Sequence, residues 1–205
     1  MKGFILKTTP AAQEDLIIKV LTPTEILTLY RFYGARHSIL QLGYLIDFEI
    51  EEQKVGFLPK IRNITHHPFS WLYNKNRLLL WHQFILELEK HLKEITKIEP
   101  FYFNLLLEMA KKATRQSIKR VIVEGVLKIL EFEGRLYHLD RCVTCNKEIE
   151  NEVSLIKNFL PTHPNCSNLI PLNKKDIKEL FISKSTINLY DEIVDILYSI
   201  VSKGF

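Results

Sequence analysis

Cys142, Cys145, His163 and Cys166 are the residues of this 205-residue chain whose types and spacing point most directly to chemistry. Cys142 and Cys145 have the C-x2-C spacing, and His163 and Cys166 repeat it as H-x2-C after an intervening run from Asn146 to Thr162. A two-residue gap folds into a tight knuckle that aims both side chains at one ion, and the interval between the pairs is that of structural zinc sites. Three thiolates and a neutral imidazole close a tetrahedron with no open position, so Zn2+ is expected to be architectural rather than Lewis-acidic. It would tie the turn after Gly134 to the loop before Pro171, ordering a segment too poor in apolar residues to order itself. Two other readings stand beside this one. The cysteines are small buried hydrophobes with His163 in register by accident, or Cys142 and Cys145 are a redox pair, although Val143-Thr144 lies in no strand-to-helix context. His138 and Asp140 are the substitutes for a fourth ligand should His163 not serve.

A second group of residues suggests polyanion binding. Lys111, Lys112, Arg115, Lys119 and Arg120 cluster in KKATRQSIKR, where the spacing 111, 115, 119 places three cations on one helical face able to track a phosphate backbone. The alternative is an ordinary solvated face. Nearer the N-terminus, Arg31, Tyr33, Arg36 and His37 sit at or just after the end of a strand pattern, and Lys60 and Arg62 flank Ile61 on another. Rings that stack on bases beside cations that hold phosphates are what single-strand binding requires, yet Tyr30, Phe32 and Tyr33 fit a barrel interior equally well.

Catalytic signatures are missing. His66-His67, His82 and His91 have no H-E-x-x-H, paired acidic ligands or Gly-rich phosphate loop beside them, and no G-x-S-x-G occurs. They are read as turn and surface histidines, and no enzyme activity is expected. The net charge of +4 and pI near 8.8 favour polyanionic partners weakly. No secretory h-region follows Lys2 and no uncharged apolar run reaches membrane-spanning length, so the expected location is cytoplasmic, with no membrane association. There, three cysteines suggest metal rather than disulfides.

The elements that must position these residues fall into two patterns. Up to about Thr65, period-two alternation such as Leu16, Ile18, Val20 and Tyr44, Ile46, Phe48, Ile50 predicts five strands, broken at Pro10, Thr22-Pro23, Gly34, Gly43 and Gly56. Five short strands fit an OB-type barrel, with an SH3-like barrel as the alternative. After Asn76 the period becomes helical, through Trp81, Phe84, Ile85, Leu88, then Leu105, Leu106, Met109, then Ile118 to Leu130. Asn173 reads as an N-cap, and Tyr190 to Val201 as a last amphipathic helix. The expected fold is α+β: an OB-fold barrel over 1–72, then a helical domain over 73–205 with a zinc-finger-like insertion at about 134–170.

These features, in this order, resemble the bacterial RecO recombination mediators. The resemblance rests on ILKTTPAAQEDLIIKVLT, the turn Gly34-Ala35-Arg36, the strand opening Leu40-Gln41-Leu42-Gly43, the run Gly134, Leu139, Cys142, Cys145, and then Phe159, Pro161, Cys166. His163 stands where members with a complete site carry cysteine. The resemblance implies binding of single- and double-stranded DNA and annealing of complementary strands. It also implies RecR and the tail of the single-stranded-DNA-binding protein as partners in loading a recombinase. The competing expectations are a zinc-stabilised protein-interaction scaffold and a metal-dependent nuclease using His66 and His67.

Overall fold

Alternation of buried and outward residues shapes the first five elements. They are β1 (Lys2–Pro10), β2 (Leu16–Leu21), β3 (Ile26–Arg31), β4 (Leu45–Glu51) and β5 (Lys60–His67), and they close into a barrel of order β1-β2-β3-β5-β4. β1 and β4 pair across the seam, and every contact is antiparallel except that of β3 with β5, which meet in parallel at Tyr30 and Lys60. This is the OB-type barrel. Ile5, Leu16, Ile18, Val20, Leu29, Ile46, Phe48 and Ile61 fill it. Register shifts at Ile5/Lys7 and Asp47/Glu49 mark bulges, which bend the strands toward closure.

The computed structural model describes residues 1–36 and 39–205, which divide into two compact units, Met1–Arg115 and Gln116–Phe205. In the first unit the barrel is joined by α1 (Lys75–His91), capped by the Asn74 side chain, and α2 (Pro100–Lys112), which opens on a proline. α1 buries Trp81, Phe84, Ile85 and Leu88, while Phe103 of α2 sets its ring 5.6 Å from that of Phe4. Both tryptophans find acceptors as they are buried: Trp71 Nε1 donates to the Ala110 carbonyl (2.8 Å) and Trp81 Nε1 to that of Gly43 (3.0 Å).

The second unit contains α3 (Ile118–Phe132), β6 (Glu152–Leu155), β7 (Pro161–Thr162), α4 (Pro164–Ser167), β8 (Leu172–Asn173), α5 (Lys174–Ser183) and α6 (Asp191–Val201). Asn173 caps α5 through Lys175 N, as its position predicts. Ten residues of α3 are buried, including Glu124, whose Oε1 accepts from Thr186 N and Oγ1 at 2.9 Å each. Where the sequence suggests only a loop, β7, β6 and β8 form a small antiparallel sheet. No helix among the described residues is long and apolar enough to cross a membrane.

Two further expectations are corrected. His66 and His67 belong to β5 rather than to a turn: His67 Nε2 lies 2.5 Å from Asp47 Oδ2, and His66 stacks on Tyr44 at 4.2 Å between ring centroids. KKATRQSIKR is not one helix, because α2 ends at Lys112 and α3 begins at Ile118.

Gly43 adopts φ +76°, and a Cβ added there would lie 2.4 Å from Trp81 Nε1. Gly43→Ala is therefore expected to destabilise the protein by about 2–4 kcal/mol, from backbone strain together with displacement of the indole. A lowered urea midpoint with tryptophan fluorescence as the probe checks this.

Candidate metal centre and nucleic-acid interface

The segment from Leu139 to Ser167 brings the four sequence-predicted ligands together. One potential ligand atom each from Cys142, Cys145, His163 and Cys166 lies within 4.8 Å of all the others. The first knuckle is made by the backbone: Cys142 N donates to Lys147 O (2.9 Å), Asn146 N donates to Cys142 O (2.8 Å), and Asn146 turns the chain at φ 57°. A bridge between Arg141 and Glu148 closes its base, and Val143 N donates to Pro161 O (2.9 Å), clamping it to β7. His163 follows β7 directly and precedes α4, on which Cys166 sits, with Cys166 N donating to His163 O at 3.0 Å.

The histidine is oriented by one contact. Its Nε2 lies 2.8 Å from the carbonyl oxygen of Glu148, which can only accept, so Nε2 carries the proton and Nδ1 keeps its lone pair free for a metal ion. Nδ1 faces the sulfurs of Cys145 (3.3 Å) and Cys166 (3.8 Å). The Glu148 carbonyl, followed by the Cys145 side chain, raises the His163 pKa. Burial pushes the Cys142 thiol up, but N–H groups of His163, Cys145 and Thr144 outweigh it and bring the thiol down to about 6. Burial, then the neighbouring Cys145 and Cys142, push Cys166 up to about 11. The donor set and its outer partner fit a thiophilic divalent metal ion. His138 and Asp140 are not in this cluster, and Asp140 pairs with Lys174 at 3.3 Å. A shallow depression beside the cluster is rimmed by Glu148, Glu150 and Glu152.

In the first unit, Arg31, Tyr33, Lys60 and Arg62 line one cleft of about 470 Å³ between the end of β3 and the start of β5. Lys60 Nζ lies 4.6 Å from the Phe32 ring centroid, and the Arg36 guanidinium 5.1 Å from that of Tyr33, so each ring carries a cation. Phe32 and Tyr33 are half exposed, whereas Tyr30 gives its hydroxyl to Asp15. His37 lies outside the described residues. Arg36 pairs with Glu14 and Arg62 with Glu51, both exposed pairs of the kind worth only a few tenths of a kcal/mol up to ~1 kcal/mol and therefore readily exchanged. Arg31 Nη1 donates to the Ile61 carbonyl (3.1 Å).

The five cations of KKATRQSIKR are not brought together as a helical stripe. Lys111 and Lys112 occupy the last turn of α2, where the helix dipole favours them, and Arg115 is exposed in the turn beyond. Lys112 pairs with Glu108 at 3.0 Å. Lys119 and Arg120 lie at the start of α3, the end that disfavours cations, and both are paired with acids: Asp195 and Asp191, each at 2.8 Å. Arg120 is largely buried and also donates to the carbonyls of Thr186 and Leu189, so it braces the second unit. Phe32, weighed above as a barrel-interior residue, lies in the cleft instead, and the Glu148 carbonyl is a contributor that the motifs do not identify. A main-chain acceptor has no signal in residue type.

Comparison with known proteins gives consistent relatives. The family model described as RecO N terminal matches residues 1–72. The DNA repair protein RecO of Chlamydia trachomatis serovar L2 is 22% identical over 161 residues, covering 74% of this chain and 65% of that protein. The DNA repair protein RecO of Chlamydia muridarum is 24% identical over 165 residues, covering 74% of this chain and 67% of that one. The chain spans 65% of the length of the Chlamydia trachomatis relative.

Titration with cobalt(II) is expected to give one equivalent of a thiolate-to-metal charge-transfer band, with affinity that falls as pH falls because the thiols must lose protons. Cys142→Ser/Cys145→Ser should weaken binding beyond the roughly 10- to 100-fold that follows loss of an outer-shell partner. Absorbance titration of the two proteins measures this.

Proposed function

We propose that this chain, whose residues 1–72 match the RecO N-terminal model and 74% of whose length aligns with RecO proteins, is a RecO-type protein that serves DNA repair and recombination as a non-catalytic DNA-binding mediator. The observation that carries this reading is the cleft at the β3–β5 junction, where an OB-type barrel gathers Arg31, Tyr33, Lys60 and Arg62. Cations there neutralise phosphates and release counterions, and the half-exposed rings receive bases. Annealing of complementary strands requires no bond chemistry, since the duplex supplies the driving free energy once backbone repulsion is screened. In this reading the protein works with RecR and the single-stranded-DNA-binding protein to load a recombinase. The metal held by Cys142, Cys145, His163 and Cys166 is Zn2+, which keeps the knuckles of the second unit in place and takes no part in a reaction.

One observation favours a second reading, a protein-interaction scaffold. In the second unit Lys119 and Arg120 are already paired with acids, and three glutamates beside Lys147 line the depression at the metal cluster, so these surfaces offer little to a polyanion. A scaffold would keep its partners after nuclease treatment and would not be retained on heparin.

Fluorescence anisotropy with a labelled single-stranded oligonucleotide across a salt series tests the first reading. Binding that falls steeply with salt is expected, and absence of binding at low salt, or binding indifferent to salt, overturns it. Arg36→Ala/Arg62→Ala should weaken binding several-fold and reduce the magnitude of the log–log salt slope by about 2, one phosphate contact for each arginine. Metal analysis of the purified protein should find about one zinc per chain, and chelation should lower the melting temperature.

A further inference from the structure

The loop between β4 and β5 holds apolar side chains where nothing buries them. Val55 is fully exposed and Phe57 is 74% exposed, yet the chain that carries them is ordered by a tight turn. Phe57 N donates to Lys54 O (3.1 Å), and Gly56 supplies the positive φ of +95° at the third position. Apart from its own two chain neighbours, no residue has a heavy atom within 4 Å of where a Gly56 Cβ would be, so the tip of the turn stands free.

The descending side of the loop is anchored at the cleft described above. Tyr30 N donates to Pro59 O (2.9 Å), and the next residue, Lys60, pairs with Tyr30 in the sheet and lies over Phe32. The tip is thus three residues from a cleft wall that already presents two cation-bearing rings. The ring chemistry and its continuity with a cationic cleft match an unpaired nucleobase, whose face is apolar and whose phosphate the cleft can take.

We propose that Phe57, backed by Val55, is a base-stacking finger that extends the cleft and makes the first unit favour unpaired over paired strands. This inference rests on the DNA-binding reading above. Bases inside a duplex stack on one another and offer the finger no face, whereas a single strand offers one at each nucleotide.

The test compares the intact chain with Phe57→Ala and Phe57→Trp, using anisotropy on an oligothymidine, an abasic strand of equal length and a duplex. Phe57→Ala should weaken oligothymidine binding about 5- to 150-fold, the range for one lost base–aromatic stack. Its salt slope should not change, and its affinity for the abasic strand should equal that of the intact chain. Phe57→Trp should restore oligothymidine binding. If Phe57→Ala binds oligothymidine like the intact chain, or loses affinity equally for the abasic strand, the finger is refuted while the DNA-binding reading stands. If the intact chain binds no strand at low salt, both fall together.

Discussion

One junction shapes the first unit: β3 and β5 meet in parallel at a single residue pair, Tyr30 and Lys60. Every other seam of the barrel is antiparallel and several pairs long. Two parallel strands cannot be joined by a tight hairpin, so the chain must leave β3, run through β4 and return. That detour brings Arg31 and Tyr33 against Lys60 and Arg62, residues some thirty positions apart in sequence. It also leaves the β4–β5 connection standing at the edge of the closure. The cleft follows from how the barrel closes, without any element added for the purpose.

The second unit solves a different problem. Its knuckle segment has little apolar surface, and its strands are two to four residues long, too short to hold themselves. Main-chain bonds from Cys142, Val143, Asn146 and His163 bring four ligand side chains close together. The burial that stabilises most of the unit is concentrated elsewhere, in α3 and α6.

Much of this was legible in the residues. Leu16, Ile18 and Val20 alternate inward because a strand has period two, and the five strand patterns all correspond to barrel strands. The paired C-x2-C and H-x2-C spacings were sufficient to predict a cluster that only tertiary folding could assemble. KKATRQSIKR misled because charges four apart mimic a helical face when no apolar stripe is required to confirm it. The corrective signal was Ser117, which precedes the first buried residue of α3 and reads as a helix start. β6, β7 and β8 went unseen because strands so short show no period. The acid partners of Lys119 and Arg120 lie about seventy residues downstream on α6, beyond the reach of local pattern.

The imidazole at position 163 changes the electrical account of the knuckles. Four thiolates around a dication would sum to two negative charges, whereas three thiolates and a neutral ring sum to one. That difference falls in a depression lined by Glu148, Glu150 and Glu152 with Lys147, where an additional anion would meet more carboxylate than ammonium charge. A metal ion held by three sulfurs and the ring would therefore leave less negative charge facing the glutamates than one held by four sulfurs.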